Sequence, residues 1–81
     1  MRAKWRKDAY DVEHLEMHTS KGWIYMGWVE PTTGGFNALA CWISNGDYPE
    51  NKIFETAKQA RRALKATATV AIIGGFRGLH E

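Results

Sequence analysis

The chain has 81 residues, enough for one domain, and chains of this size bury only about 60 to 65% of the surface that the unfolded polypeptide exposes. Its 44% hydrophobic and 25% charged residues exclude intrinsic disorder, and a formal net charge of +2 selects no class of partner by itself. Cys41 is the single cysteine, which excludes an intrachain disulfide and a cysteine-based zinc cluster.

In chain order, residues 1–9 are basic through Arg2, Lys4, Arg6 and Lys7 and suggest a peripheral arm, although Trp5 among them needs an apolar surface. They lack the apolar core of a signal peptide. From Val12 to His18, Leu15 and Met17 alternate with His14, Glu16 and His18, the pattern of a half-buried strand. A turn at Thr19–Gly22 follows. Trp23–Glu30 and Phe36–Ser44 are stronger strands, rich in aromatic and β-branched residues and bounded by turn residues.

Between them, Thr32, Thr33 and Gly34 predict a three-residue hairpin loop with Gly34 in the left-handed position. That register sets Trp28 across from Ala38, Met26 from Ala40 and Ile24 from Trp42 on one face. The other face then pairs Trp23 with Ile43, Tyr25 with Cys41 and Gly27 with Leu39. A slip of one residue would reverse the faces of one strand.

Residues 44–51 read as loop. Thr56, three before Gln59, predicts a helix start with a capping box. Ile53, Ala57, Ala60, Leu64 and Ala68 then share one helical face. After Thr67 the pattern blurs, because Val70, Ile72 and Ile73 point in three directions, which leaves open a buried helix end or a short extra strand. Gly74 and Gly75 stop the element, and residues 74–81 form a glycine-rich tail. The longest apolar run, Val70–Ile73, is far shorter than the about 20 residues of a membrane-spanning helix. A cytoplasmic chain without membrane contact is the expectation.

The resulting fold class is α+β, a three-stranded antiparallel sheet followed by one C-terminal helix, β-β-β-α, in a single domain over 1–81. One helix covers one face of such a sheet. The hairpin carries apolar residues on both faces, so its second face must meet the arm, the tail, a second copy or a target.

Catalytic and metal signals are weak. His14, Glu16 and His18 would share a strand face and offer two imidazoles and a carboxylate. A solvated strand face is the plainer reading, and no metal or other cofactor is expected. Cys41, within "ALACWI", reads as a buried structural thiol. No nucleophile–base set, phosphate-binding glycine loop or spaced carboxylate pair stands out, so the chain is not expected to be an enzyme.

Two surfaces remain. Lys58, Arg62 and Lys65 form one stripe of the helix, with Arg61 at its edge nearest the core. Such a stripe can track phosphates. "TAKQARRAL" resembles the second helix of double-stranded-RNA-binding domains, with Lys58 and Arg61 matching two of that family's cations and Ala57 standing at a third. The first helix of that family and its Gly-Pro-x-His loop have no counterpart here. "FETAKQA" is similar to the Phe-x-Thr-x-x-Glu-Ala start of the helix in small sheet-plus-helix modules, including the hybrid-binding domain ahead of ribonuclease H. That start is mostly capping chemistry, so neither likeness assigns a family.

The second surface is aromatic: Trp23, Tyr25, Trp28 and Trp42. Tryptophan, tyrosine and arginine dominate the energetics of protein interfaces. The expectation is therefore a small non-enzymatic protein that occupies a protein partner, a regulator or inhibitor of the kind that phages and mobile elements also encode, with a homodimer left open. The alternative is a nucleic-acid-binding module using Lys58, Arg61, Arg62 and Lys65.

Overall fold

The computed structural model describes residues 2–41 and 53–74. Five strands form an antiparallel meander: β1 (Ala3–Lys7), β2 (Glu13–Thr19), β3 (Gly22–Thr32), β4 (Gly35–Ala40) and β5 (Ile53–Phe54), neighbours in chain order. Helix α1 (Ala57–Ile73) packs across β4, β3 and β5. The α+β class and the C-terminal helix are as the sequence predicts. The strand count is five, not three.

Both additional strands lie at sheet edges. Residues 3–7, expected within a basic arm, pair with β2 in the register Ala3↔Met17, Trp5↔Leu15, Lys7↔Glu13. The alternation is present but hidden by charge: Ala3 and Trp5 pack against the core, while Lys4 and Arg6 point the other way. Trp5 thus finds its apolar surface. At the opposite edge, β5 pairs with the start of β4 through Phe36↔Phe54 and Asn37↔Ile53. Two residues are too few to show a period. Ile53, which helical spacing assigns to the core stripe, is instead a β5 residue and 48% exposed.

The β3–β4 register is Thr32↔Gly35, Val29↔Ala38, Trp28↔Leu39 and Gly27↔Ala40, one residue away from the expected pairing. The hairpin loop is the two residues Thr33 and Gly34, so the three-residue loop is corrected. Gly34 does take the left-handed conformation, at φ 89°.

The more consequential irregularity lies on the other side of β3. Leu15 pairs with Gly27 but Glu16 pairs with Tyr25, so Met26 is an extra residue in β3, a β-bulge. A bulge resets the parity of side chains along its strand. Before it, Ile24 and Met26 face the helix; after it, Val29 does. Gly27, beside the bulge, has φ 148°, and a Cβ there would strike the Leu39 carbonyl oxygen. Only glycine fits.

The core lies between the sheet and α1: Leu15, Met17, Met26, Val29, Ala38 and Ala40 from the strands, and Ala60, Leu64 and Ala68 from the helix. Alanines on both sides of the β4–α1 contact let the helix approach closely, while Leu64, Leu15 and the two methionines fill the volume. Each such large side chain contributes about 1.5–3 kcal/mol on burial.

The capping box forms as predicted. The Thr56 hydroxyl accepts from Gln59 N–H at 3.1 Å, and Gln59 Oε1 accepts from Thr56 N–H at 3.2 Å. A two-pronged ion pair from Arg61 to Glu13, at 3.0 and 2.9 Å, ties α1 to β2. Residues 69–73 are helical, which closes the alternative of a strand there. The pattern blurs because Val70 and Ile73 are largely exposed while Ile72 packs on the core.

Candidate functional site

The face of the sheet away from α1 is built by three strands. β1 supplies Lys4 and Arg6. β2 supplies His14, Glu16 and His18, the alternate partners of the buried Leu15 and Met17. β3 supplies Trp23, Tyr25 and Trp28, opposite His18, Glu16 and His14 respectively. In a regular strand Trp28 would face away from Trp23 and Tyr25. The bulge at Met26 brings all three rings to one face, correcting the expectation that Trp28 lies opposite the other two. Trp42 lies outside the described residues.

Each ring is held by a neighbour. Lys4 Nζ sits 4.7 Å from the centre of the Trp23 ring and the Arg2 guanidinium 5.6 Å from it, cation–π contacts in both cases. His18 meets the same indole edge-on at 5.1 Å. The Trp28 indole N–H donates to Glu30 Oε1 at 2.7 Å. Tyr25 Oη lies 2.7 Å from His14 Nδ1, and His14 Nε2 lies 2.8 Å from Asp8 Oδ2. An ionised carboxylate only accepts, so Nε2 carries a proton, and the second ring nitrogen, Nδ1, is the partner of the Tyr25 hydroxyl.

Asp8 also organises the β1–β2 loop. Its Oδ1 accepts from the N–H groups of Tyr10 and Val12, and Asp11 closes the loop at φ 63°. These contacts, the His14 hydrogen bond foremost, hold the Asp8 carboxyl below its ordinary value of 3.8. Desolvation raises the Tyr25 phenol above 10.0, with Cys41 adding to the rise. The phenol is therefore neutral at physiological pH.

Cys41 is exposed, not the buried thiol expected, and its Sγ–H donates to the Tyr25 carbonyl at 3.2 Å. Partial desolvation pushes the thiol above 9.0 and keeps the thiolate scarce near neutrality. His14, Glu16 and His18 do share a face, as alternation predicts. Each is turned to a different partner: His14 to Asp8 and Tyr25, Glu16 to Lys4 at 3.4 Å, His18 to Trp23. Among the described residues no group of three or more His, Cys, Asp or Glu side chains is placed to hold a metal ion.

The basic stripe lies on α1, in the layer on the other side of the sheet. Lys58, Arg62 and Lys65 are exposed and have no ion-pair partner among the described residues. Arg61 is committed to Glu13. The two candidate surfaces are therefore separate.

The sequence reading missed Lys4, Arg6 and His14 as members of the aromatic face. The available signal was the alternation of Arg2, Lys4 and Arg6 with Ala3 and Trp5, which a strand at 3–7 turns into a row of cations beside Trp23. No described helix is long and apolar enough to cross a membrane. No family model, curated protein or solved structure matches this chain.

Proposed function

We propose that this protein is a non-enzymatic binding module that occupies a protein partner through the sheet face away from α1. One observation carries the reading: the Met26 bulge gathers Trp23, Tyr25 and Trp28 on the face that the helix does not cover. Trp23 remains 42% and Tyr25 36% exposed although both rings are fixed by neighbours. Fixed, amphipathic rings bury large area at low entropic cost, which is what interface anchors require.

Affinity capture with the wild-type chain and with Trp23→Ala tests the proposal. A protein retained by the wild type in moderate salt, resistant to nuclease and lost with Trp23→Ala supports it. Retention that is indifferent to Trp23→Ala and abolished by nuclease refutes it.

The stripe of Lys58, Arg62 and Lys65, without ion-pair partners among the described residues, favours a second reading, nucleic-acid binding through α1. That reading requires affinity to fall steeply with salt and to fail on Arg62→Glu.

A further inference from the structure

We infer that the outer edge of β1, beyond which no described strand lies, is a docking site for an acidic, extended polypeptide segment that adds to the sheet as a further strand. The inference rests on the proposed reading as a protein-binding module and names the chemistry of the partner.

The backbone comes first. The Arg2 carbonyl accepts from His18 N–H, and Asp8 N–H donates to the Val12 carbonyl, both at 2.9 Å. Bonded and non-bonded pairs alternate along an antiparallel ladder. Arg2, Lys4, Arg6 and Asp8 therefore turn their peptide groups toward β2, and Ala3, Trp5 and Lys7 turn theirs outward. No described strand lies beyond β1. Three N–H donors alternate there with three carbonyl acceptors, an array that another polypeptide strand complements in full. A DNA sugar–phosphate backbone supplies acceptors for the N–H groups and leaves the carbonyls without donors.

Side-chain charge then selects the occupant. Lys4 and Arg6 project from β1 on the aromatic side, while the exposed Lys7 lies on the other side with Trp5. Glu16 reaches Lys4 at 3.4 Å, but Arg6 has no carboxylate partner among the described residues. A second copy docking antiparallel about Trp5 would set Lys4 against Arg6. Like charges directly opposite destabilise a strand pair, so the edge disfavours its own copy, a common protection of edge strands. An incoming strand with acidic residues two apart instead sets one beside Arg6 and one beside Lys4, which then exchanges its Glu16 and Trp23 contacts for the new carboxylate. Its intervening residue falls on the side of the half-buried Trp5 and is apolar.

The probes are capped peptides of alternating glutamate and valine, the lysine and valine counterpart, and an oligothymidylate, followed by amide NMR on the intact chain. The glutamate peptide is expected to bind more tightly than the lysine peptide, to shift the amides of Ala3, Trp5 and Lys7, and to slow their hydrogen exchange. Lys7→Ala removes an exposed charge that lies opposite a valine of the peptide and weakens binding by no more than about twofold. Lys7→Pro also deletes an outward N–H that no described residue uses, and is expected to weaken binding about tenfold or more while the thermal melt is kept.

Equal binding of the two peptides, or Lys7→Pro no weaker than Lys7→Ala, overturns the inference. Shifts confined to Trp23, Tyr25 and Trp28 overturn the edge site and leave the aromatic face standing. An oligothymidylate that binds as tightly as the glutamate peptide overturns both. Should Lys7→Pro lower the melt, the preference of the wild type between the two peptides decides.

Discussion

Gly27→Ala perturbs the feature on which the candidate site depends. At φ 148° an L-residue is strained, at a cost of about 1–3 kcal/mol. The new Cβ would also collide with the Leu39 carbonyl oxygen, which belongs to a paired strand and cannot move without disturbing β4. Together these predict a loss of about 2–4 kcal/mol, where the whole stability of a domain this size is about 4–12 kcal/mol. With roughly 4–8 °C per kcal/mol for small domains, the midpoint should fall by at least about 8 °C. Gly34→Ala is the internal control. Gly34 is also left-handed, at φ 89°, but a Cβ there meets nothing within 4 Å. It should cost only the conformational part, about 1 kcal/mol. Urea unfolding followed by tryptophan fluorescence reads both. If Gly27→Ala costs no more than Gly34→Ala, the close approach at the bulge does not exist, and the grouping of the three rings loses its basis.

The other predictions test the supports of this face and of the core. Leu64→Ala empties the centre of the helix contact and should cost about 2–5 kcal/mol by urea unfolding, with a cost below 1 kcal/mol placing α1 wrongly on the sheet. Thr56→Ala removes the cap and should cost about 1 kcal/mol, a loss that Thr56→Ser should largely restore. Asp8 has a folded pKa below its unfolded 3.8, so its stabilising contribution is present above 3.8 and disappears as pH falls through the folded value. The stability of the wild type should therefore drop more steeply than that of Asp8→Asn as the pH falls through and below 3.8, and parallel curves would remove the Asp8–His14 contact from consideration.

The parts legible in the sequence were those with a local chemical signature. Thr56 and Gln59 announce the helix start because a capping box needs only residues three apart. Leu15 and Met17 mark β2 because polar residues separate them cleanly. β1 was hidden because its outward positions are cations, and four basic residues in a row of six dominate the reading of a short stretch. The faces of β3 could not be read from periodicity at all. Its run of Trp23, Ile24, Tyr25, Met26, Gly27 and Trp28 fits either parity, and the position of the bulge is set by long-range contacts: Leu15 facing Gly27, and the Leu39 carbonyl filling the space a side chain would need. Gly27 was the sole local clue, since a glycine inside a strand marks either a bulge or a close approach, and here it marks both.

The hairpin's two apolar faces thus need less cover than strict alternation implies. With Met26 inserted, Ile24, Met26 and Val29 turn to the helix and the three aromatic residues turn away, each supported by β1 and β2 or by its own strand. The polar ends of Tyr25 and Trp28 already have partners in His14 and Glu30. No described buried side-chain nitrogen or oxygen lacks a hydrogen bond. Covering the Tyr25 and Trp28 rings would therefore remove apolar surface from water without stranding their hydroxyl or indole N–H, which avoids the main desolvation cost of burying such groups. The cations Lys4 and Arg6 beside them would be costly to bury against a neutral surface and favourable against carboxylates. An acidic strand along β1 meets the second of these conditions, because it runs beside Arg6 and Lys4, while the rings of β3 lie two strands further in.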